Sequence, residues 1–179
     1  RFTYKADNYA FDYPASDYEI ILVDDHSSDG SDKKVNELII GHQNFHSIYC
    51  DSATNGKKAA LRLGAGKANG EVLVFTDADC LPPVSWLKIL KSFYLSNNRP
   101  DLIIGLVDLL PRKSILSNCF RIEFLSLMLS SSGAAALKNP VMCNGANLAV
   151  KRSEYLKVTD NLHDDIASGD DVFLLHHFK

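Results

Sequence analysis

Carboxylates cluster at two places where an apolar run stops. Glu19-Ile20-Ile21-Leu22-Val23 leads into Asp24-Asp25, and Val72-Leu73-Val74-Phe75-Thr76 leads into Asp77-Ala78-Asp79. A buried strand that ends on acids delivers charge to the rim of a sheet. In open α/β sheets, ligands bind outside those carboxyl ends. Carboxylates gathered at a rim repel one another unless a cation or a polar ligand joins them. In Asp77-Ala78-Asp79 one carboxylate can take Mg²⁺ or Mn²⁺, which keep open positions for substrate phosphates, while its neighbour meets water or a ribose hydroxyl. Asp24-Asp25-His26-Ser27-Ser28-Asp29-Gly30 is a polar turn whose carboxylates can accept paired hydrogen bonds from a base or from sugar hydroxyls. The pattern points to a metal-assisted binder of a phosphorylated ligand, and to an enzyme before a passive binder.

Each signal also has a plainer structural explanation. Asp77-Ala78-Asp79 could cap the turn before a helix at Val84, and the Asp24 to Gly30 turn could cap a helix with solvated acids. Asn144-Gly145-Ala146-Asn147 fits a turn with positive φ. Gly169-Asp170-Asp171 places two acids at a helix start, where the dipole favours them. Two glycine-rich stretches are set aside. Gly64-Ala65-Gly66 begins like a dinucleotide fingerprint but has Asn69 at the third glycine position and lies in or after a helix. Gly56-Lys57 lacks the upstream glycine and the following Ser or Thr of a P-loop. His163, His176 and His177 show no ligand spacing.

The elements that must position these residues follow from apolar periodicity. Strands are predicted at Glu19–Asp24, Phe45–Cys50, Glu71–Asp77, Asp101–Leu110 and Asn147–Val150. Helices are predicted at Asp29–Ile40 (capped by Asp29 or Ser31, with Val35, Leu38 and Ile39 inward), Gly56–Asn69, Val84–Leu95, from about Ser114, and from about Asp170. The helix from Ser114 reads as amphipathic and packed on the sheet. Alternation of strand and helix predicts an α/β fold with a mainly parallel sheet flanked by helices.

Bulk properties narrow the classes. The 179 residues suit one domain, able to bury about 70% of its unfolded surface. A net charge of −3 argues against nonspecific nucleic-acid binding. Cys50, Cys80, Cys119 and Cys143 are scattered without a C-x-x-C pair, which suggests free thiols in a reducing compartment. The sequence shows neither a signal-peptide pattern nor an apolar run of about eighteen residues.

As an ordered set, the motifs resemble family 2 glycosyltransferases of the GT-A fold. Those that carry the resemblance are Glu19 to Ser31, Asn55-Gly56-Lys57-Lys58-Ala59-Ala60-Leu61, Phe75-Thr76-Asp77-Ala78-Asp79, Asn144-Gly145-Ala146-Asn147-Leu148-Ala149 and Ser168-Gly169-Asp170-Asp171. The resemblance implies an inverting transfer of a sugar from a nucleotide-diphosphate donor to an acceptor hydroxyl, assisted by Mn²⁺ or Mg²⁺. Carried over by position, Asp24, Asp25, Lys57 and Asp77 would hold the donor, and Asp79 the metal. Asn144, Gly145 and Asn147 would line the acceptor side, and Asp171 would be the catalytic base with Asp170 beside it. A UDP-sugar is the family's commonest donor, and the acceptor would be a saccharide or a lipid-linked sugar, in polysaccharide, glycolipid or cell-envelope synthesis. Residues 1–179 would form a single catalytic domain that lacks the family's first strand and its C-terminal acceptor segments. The resemblance is greatest to membrane-anchored bacterial members, which implies a cytoplasmic domain, or one at the cytoplasmic face of a membrane reached through segments outside this sequence.

Two rivals use part of the same pattern. A response-regulator receiver would use Asp24, Asp25 and Asp77 or Asp79, but it needs a Thr or Ser where Gly105-Leu106-Val107-Asp108 stands. A haloacid dehalogenase-type phosphohydrolase would use Asp77, Asp79 and Asp170-Asp171, but it gives Asp24-Asp25 no role.

Overall fold

A computed structural model describes residues 11–51, 56–159, 174–175 and 177–178. In chain order the elements are β1 (Ile20–Asp24), α1 (Ser31–Ile39), β2 (Phe45–Tyr49), α2 (Lys57–Lys67), β3 (Val72–Phe75), α3 (Trp86–Ser96), β4 (Leu102–Ile104), α4 (Ile115–Ala136), β5 (Leu148–Lys151) and α5 (Arg152–Thr159). β1 and β2 form a parallel ladder with Ile20 opposite Phe45. β5 lies between β3 and β4 and runs antiparallel to both. β3 and β4 therefore share one direction, and β5 alone reverses it within that sheet.

The core gathers around β5. Leu148, Ala149 and Val150 are all buried, as expected of a strand flanked on both edges and covered on both faces. Leu148 and Val150 point to one face, against Ala65 and Ala68 around the end of α2, Leu73, and Tyr155 and Val158 of α5. Ala149 points to the other, against Tyr94 of α3 and Ile103 of β4. Leu174 and Leu175 add to the first cluster.

α2 is pinned at its C-terminal end from two directions. The Glu19 carboxylate at the start of β1 accepts hydrogen bonds from the Asn69 and Gly70 amides at 2.6 and 3.0 Å and from the Asn69 side chain at 3.3 Å. Arg152 donates to the carbonyls of Ala65 and Gly66 at 3.0 and 3.1 Å, groups that a helix terminus leaves unpaired. Small residues let the helix approach closely: a β-carbon on Gly64 would sit 3.0 Å from Val23 Cγ2. Gly64 thus has a packing role, in keeping with the absence of a dinucleotide fingerprint.

Several predicted elements are shorter than expected or packed differently. β4 stops at Ile104 and not Leu110: one further backbone bond keeps the register, and beyond it the partner of the chain is a side chain. Gly105 N–H donates to the Asn147 carbonyl at 2.8 Å, and the Asn147 amide donates to the Leu106 carbonyl at 2.8 Å. The same amide's oxygen accepts from the Trp86 indole N–H at 3.1 Å. Asn147 thus ties the start of α3, the chain after β4 and the start of β5 together. On α1, Val35 and Ile39 are half-buried while Leu38 is exposed. On α3 it is Tyr94 that enters the core, its hydroxyl donating to Glu71 at 2.8 Å, while Phe93 faces out. α4 departs furthest from expectation: Met128 and Ser131 are its buried residues, so it does not bury a full face against the sheet. α5 was not anticipated.

Two predictions follow from these contacts. A β-carbon on Gly105 would overlap the Asn147 side chain, so Gly105→Ala should destabilise the fold by about 1–3 kcal/mol in denaturant unfolding. Burial pushes the Glu19 carboxyl up, but the hydrogen bonds from Asn69 and Gly70 together outweigh it and hold its pKa below the ordinary 4.5. A depressed carboxyl pKa stabilises the fold above pH 4.5, and that stabilisation is lost as pH falls through the folded value. Glu19→Gln should therefore cost about 1–2 kcal/mol at pH 7, with the gap to the unsubstituted protein closing in acid. A gap that stayed constant with pH would disprove the assignment.

Candidate active site

The two acidic clusters meet at the N-terminus of α2. Asp24 is the last residue of β1, and its carboxylate accepts from Ser27 N–H at 3.2 Å, closing the polar turn. Asp25 follows and accepts from Gly56 N–H at 3.0 Å. Its other oxygen lies 3.1 Å from His26 Nδ1. Two residues past the end of β3, Asp77 accepts from Lys57 Nζ at 2.7 Å. Gly56 and Lys57 are consecutive, so the first residues of one helix hold one carboxylate from each cluster. Gly56 has φ +90°, a conformation that costs glycine least, and this lets its amide face Asp25.

Electrostatics favour this placement. Unpaired amides give a helix N-terminus about half a positive charge, and Lys57 adds a full one. The Lys57–Asp77 pair is well exposed, with side chains 62% and 40% accessible, so it contributes at most about 1 kcal/mol to stability. Its geometry leaves the ammonium open to an arriving anion. Cys50 closes the same end of the sheet: its N–H donates to the Asp24 carbonyl at 2.9 Å. Burial, then the charges of Asp25, Asp51 and Asp24, raise its thiol pKa and keep it neutral.

Asp79 lies in the turn closed by Cys80 N–H on the Asp77 carbonyl at 3.1 Å, and it is exposed. No three acidic, histidine or cysteine side chains among the described residues converge as a ready-made metal cage. An exposed carboxylate of this kind suits Mg²⁺ or Mn²⁺, ions that are commonly held by one or two carboxylates and completed by substrate phosphates.

On the other side, Asn144 caps the Gly145–Asn147 turn, its side-chain oxygen accepting from Ala146 N–H at 2.9 Å. Asn147 is engaged at every polar group: its backbone N–H reaches the Asn144 carbonyl, and its amide is shared between Trp86 and Leu106. The structure therefore brings Asp25, Lys57 and Asp77 to the N-terminus of α2, leaves the Asp24 carboxylate on the Ser27 turn beside them in the chain, and joins Asn147 to the segment that follows Asp79. Asp170 and Asp171 lie outside the described residues. Sequence reasoning passed over Gly56 as a ligand of Asp25 and Trp86 as a ligand of Asn147. A glycine directly before a helical lysine was a signal for the first; nothing local marked the second.

Comparison with known proteins speaks to the family and the fold. A family model described as glycosyl transferase family 2 matches residues 7–113. The glycosyltransferase AglE of Haloferax volcanii is 32% identical over 96 residues, which cover 54% of this chain and 31% of AglE. The mannosyltransferase PcManGT of Pyrobaculum calidifontis, solved with GDP-Man and Mn²⁺, superposes with a TM-score of 0.65 at 24% identity, over 96% of this chain and 46% of that one. Staphylococcus aureus TarS with UDP-GlcNAc gives a TM-score of 0.62 at 17% identity, over 97% of this chain and 47% of its own. This chain thus spans about a third of AglE and about half of the two solved structures. The receiver and phosphohydrolase readings gain no support from these likenesses. Because the family model spans more than half of the sequence, the chain belongs to glycosyl transferase family 2, and its architecture is the family's GT-A fold.

Proposed function

We propose that this chain is the donor-binding part of an inverting glycosyltransferase that uses a nucleotide-diphosphate sugar and a divalent metal. The observation that carries this reading is the convergence of Asp25, Gly56, Lys57 and Asp77 at one helix N-terminus. In it, Asp24 and Asp25 bind the nucleoside, Lys57 and the α2 amides face the diphosphate, and Asp77 meets the ribose. Structural neighbours solved with GDP-Man and Mn²⁺ and with UDP-GlcNAc support a nucleotide-sugar donor. A UDP-sugar is the favoured donor and a saccharide or lipid-linked sugar the acceptor.

Asp79 is the residue to hold Mn²⁺ or Mg²⁺, which when bound stabilises charge on the leaving diphosphate by several kcal/mol. Asp171 removes the proton from the acceptor hydroxyl, worth roughly 10²- to 10⁴-fold in rate, with Asp170 beside it. The hydroxyl oxygen bonds to the anomeric carbon as the bond from that carbon to the diphosphate oxygen breaks. One base opposite the leaving group gives a single displacement. Asn144, Gly145 and Asn147 shape the acceptor side, Asn147 by fixing the turn.

Calorimetric titration with UDP, GDP, CDP and TDP, with and without Mn²⁺, tests the donor site. One nucleotide should bind in a Mn²⁺-dependent way, about tenfold or more weakly in Asp79→Asn. Lys57→Ala should weaken it by a similar factor, since charge-assisted hydrogen bonds are worth about 1.5–3 kcal/mol, while changing unfolding stability by less than about 1 kcal/mol. Binding to none of the four would remove the donor reading, and Mn²⁺-dependent binding unchanged in Asp79→Asn would remove the metal assignment. Stereochemistry is checked separately: NMR of the first product should show inversion at the anomeric carbon, and retention would refute a single displacement.

A further inference from the structure

Four non-glycine residues among the described ones have positive φ, and three of them follow a helix. Asn98 and Arg99 come directly after the Asn97 cap of α3, and Lys138 directly after the Leu137 cap of α4. There a left-handed residue is an ordinary way to end a helix. His26, at φ +59°, is the exception: it follows β1, inside the turn that Ser27 N–H closes on the Asp24 carboxylate. Histidine tolerates this backbone better than most side chains but less well than glycine, and such positions gather at ligand sites. A turn that asked only for the backbone would be filled at less cost by glycine, as Gly30 does later in the same loop at φ +80°.

The imidazole gives the side chain its reason. His26 Nδ1 lies 3.1 Å from Asp25 Oδ1, while Asp25 Oδ2 accepts from Gly56 N–H at 3.0 Å. A carboxylate only accepts, so Nδ1 carries the proton and the neutral ring is the Nδ1–H tautomer. One oxygen is thus held by the turn after β1 and the other by the N-terminus of α2. Two such donors fix the plane of a carboxylate whose own torsion is soft. Each oxygen keeps a further lone pair, and the Asp25 side chain is 31% accessible, so the fixed carboxylate can still accept from a ligand.

We propose that His26 is a positioning residue for donor binding: its Nδ1–H holds the Asp25 carboxylate in the orientation that meets the nucleoside. The inference rests on the reading of Asp25 as a nucleoside ligand.

Three substitutions separate this role from turn filling. His26→Asn keeps a residue that accepts positive φ and carries an N–H donor at the δ position. His26→Asp has the same shape but sets a carboxylate against Asp25, and His26→Gly suits the turn while removing the donor. They are compared by calorimetric titration with the nucleotide that the unsubstituted chain binds. His26→Gly should weaken binding about tenfold and His26→Asp at least as much, whereas His26→Asn should stay within about threefold. Heteronuclear NMR of the ligand-free chain should show His26 as the Nδ1–H tautomer, lost in Asp25→Ala. Undiminished binding by His26→Gly, His26→Asn as weak as His26→Asp, or an Nε2–H tautomer would overturn the positioning role and leave the donor reading standing. Binding of no nucleotide by the unsubstituted chain would instead remove the donor reading, and this inference with it.

Discussion

The contact on which the site depends is the N-terminus of α2 set between two acid-tipped strands. β1 ends on Asp24 and runs into Asp25, Asp77 follows the end of β3 by two residues, and acids gathered at one rim would repel each other. Gly56 N–H on Asp25 and Lys57 on Asp77 answer one charge from each side with groups that are adjacent in the chain. The position of α2 therefore fixes the spacing of the two clusters. That position is set from its other end by Glu19 on Asn69 and Gly70 and by Arg152 on the last carbonyls. The helix acts as a strut, clamped at its C-terminal end by stronger contacts than the exposed pair at the site can supply. This division suits a ligand site, where the groups that meet the ligand are left accessible and their spacing is set by contacts at the far end of the helix.

A second frame hangs on Asn147. One side chain ties the turn before β5, the exit of β4 and the first residue of α3, and α3 begins shortly after the Asp77–Asp79 turn. The two halves of the candidate site are thereby coupled through the start of α3 and not through the ligand alone. Asn147 is also why β5 can be short. Its four residues need no long ladder when the turn before them is anchored on both sides and Val150 is almost fully enclosed.

The parts of this arrangement legible in the sequence are those set by local chemistry. Apolar runs ending in acids gave β1 and β3 and placed Asp24, Asp25 and Asp77 at a rim. Small residues after Gly56 gave α2. Contacts between distant residues had no local signature: nothing near Asn147 announces Trp86, and nothing in Asp101–Leu110 shows that the chain leaves its ladder after Gly105. α5 was missed because Arg152–Thr159 is mostly polar and short, and it earns its place through Tyr155 and Val158 against the core. Tyr155 is deep enough there that burial pushes its phenol up to about 12.

α4 shows why periodicity can mislead. Apolar residues occur all round it, a pattern expected of a helix that is buried or placed in a low-polarity medium. Packed on a sheet, such a helix should lose most of its exposure, yet its buried contacts are concentrated around Met128 and Ser131. Its two tethers, Arg121 on Asp108 and Ser131 on Met142, are polar. They fix the helix in place without hiding its remaining apolar residues, so its outer face answers to something other than the fold's own core.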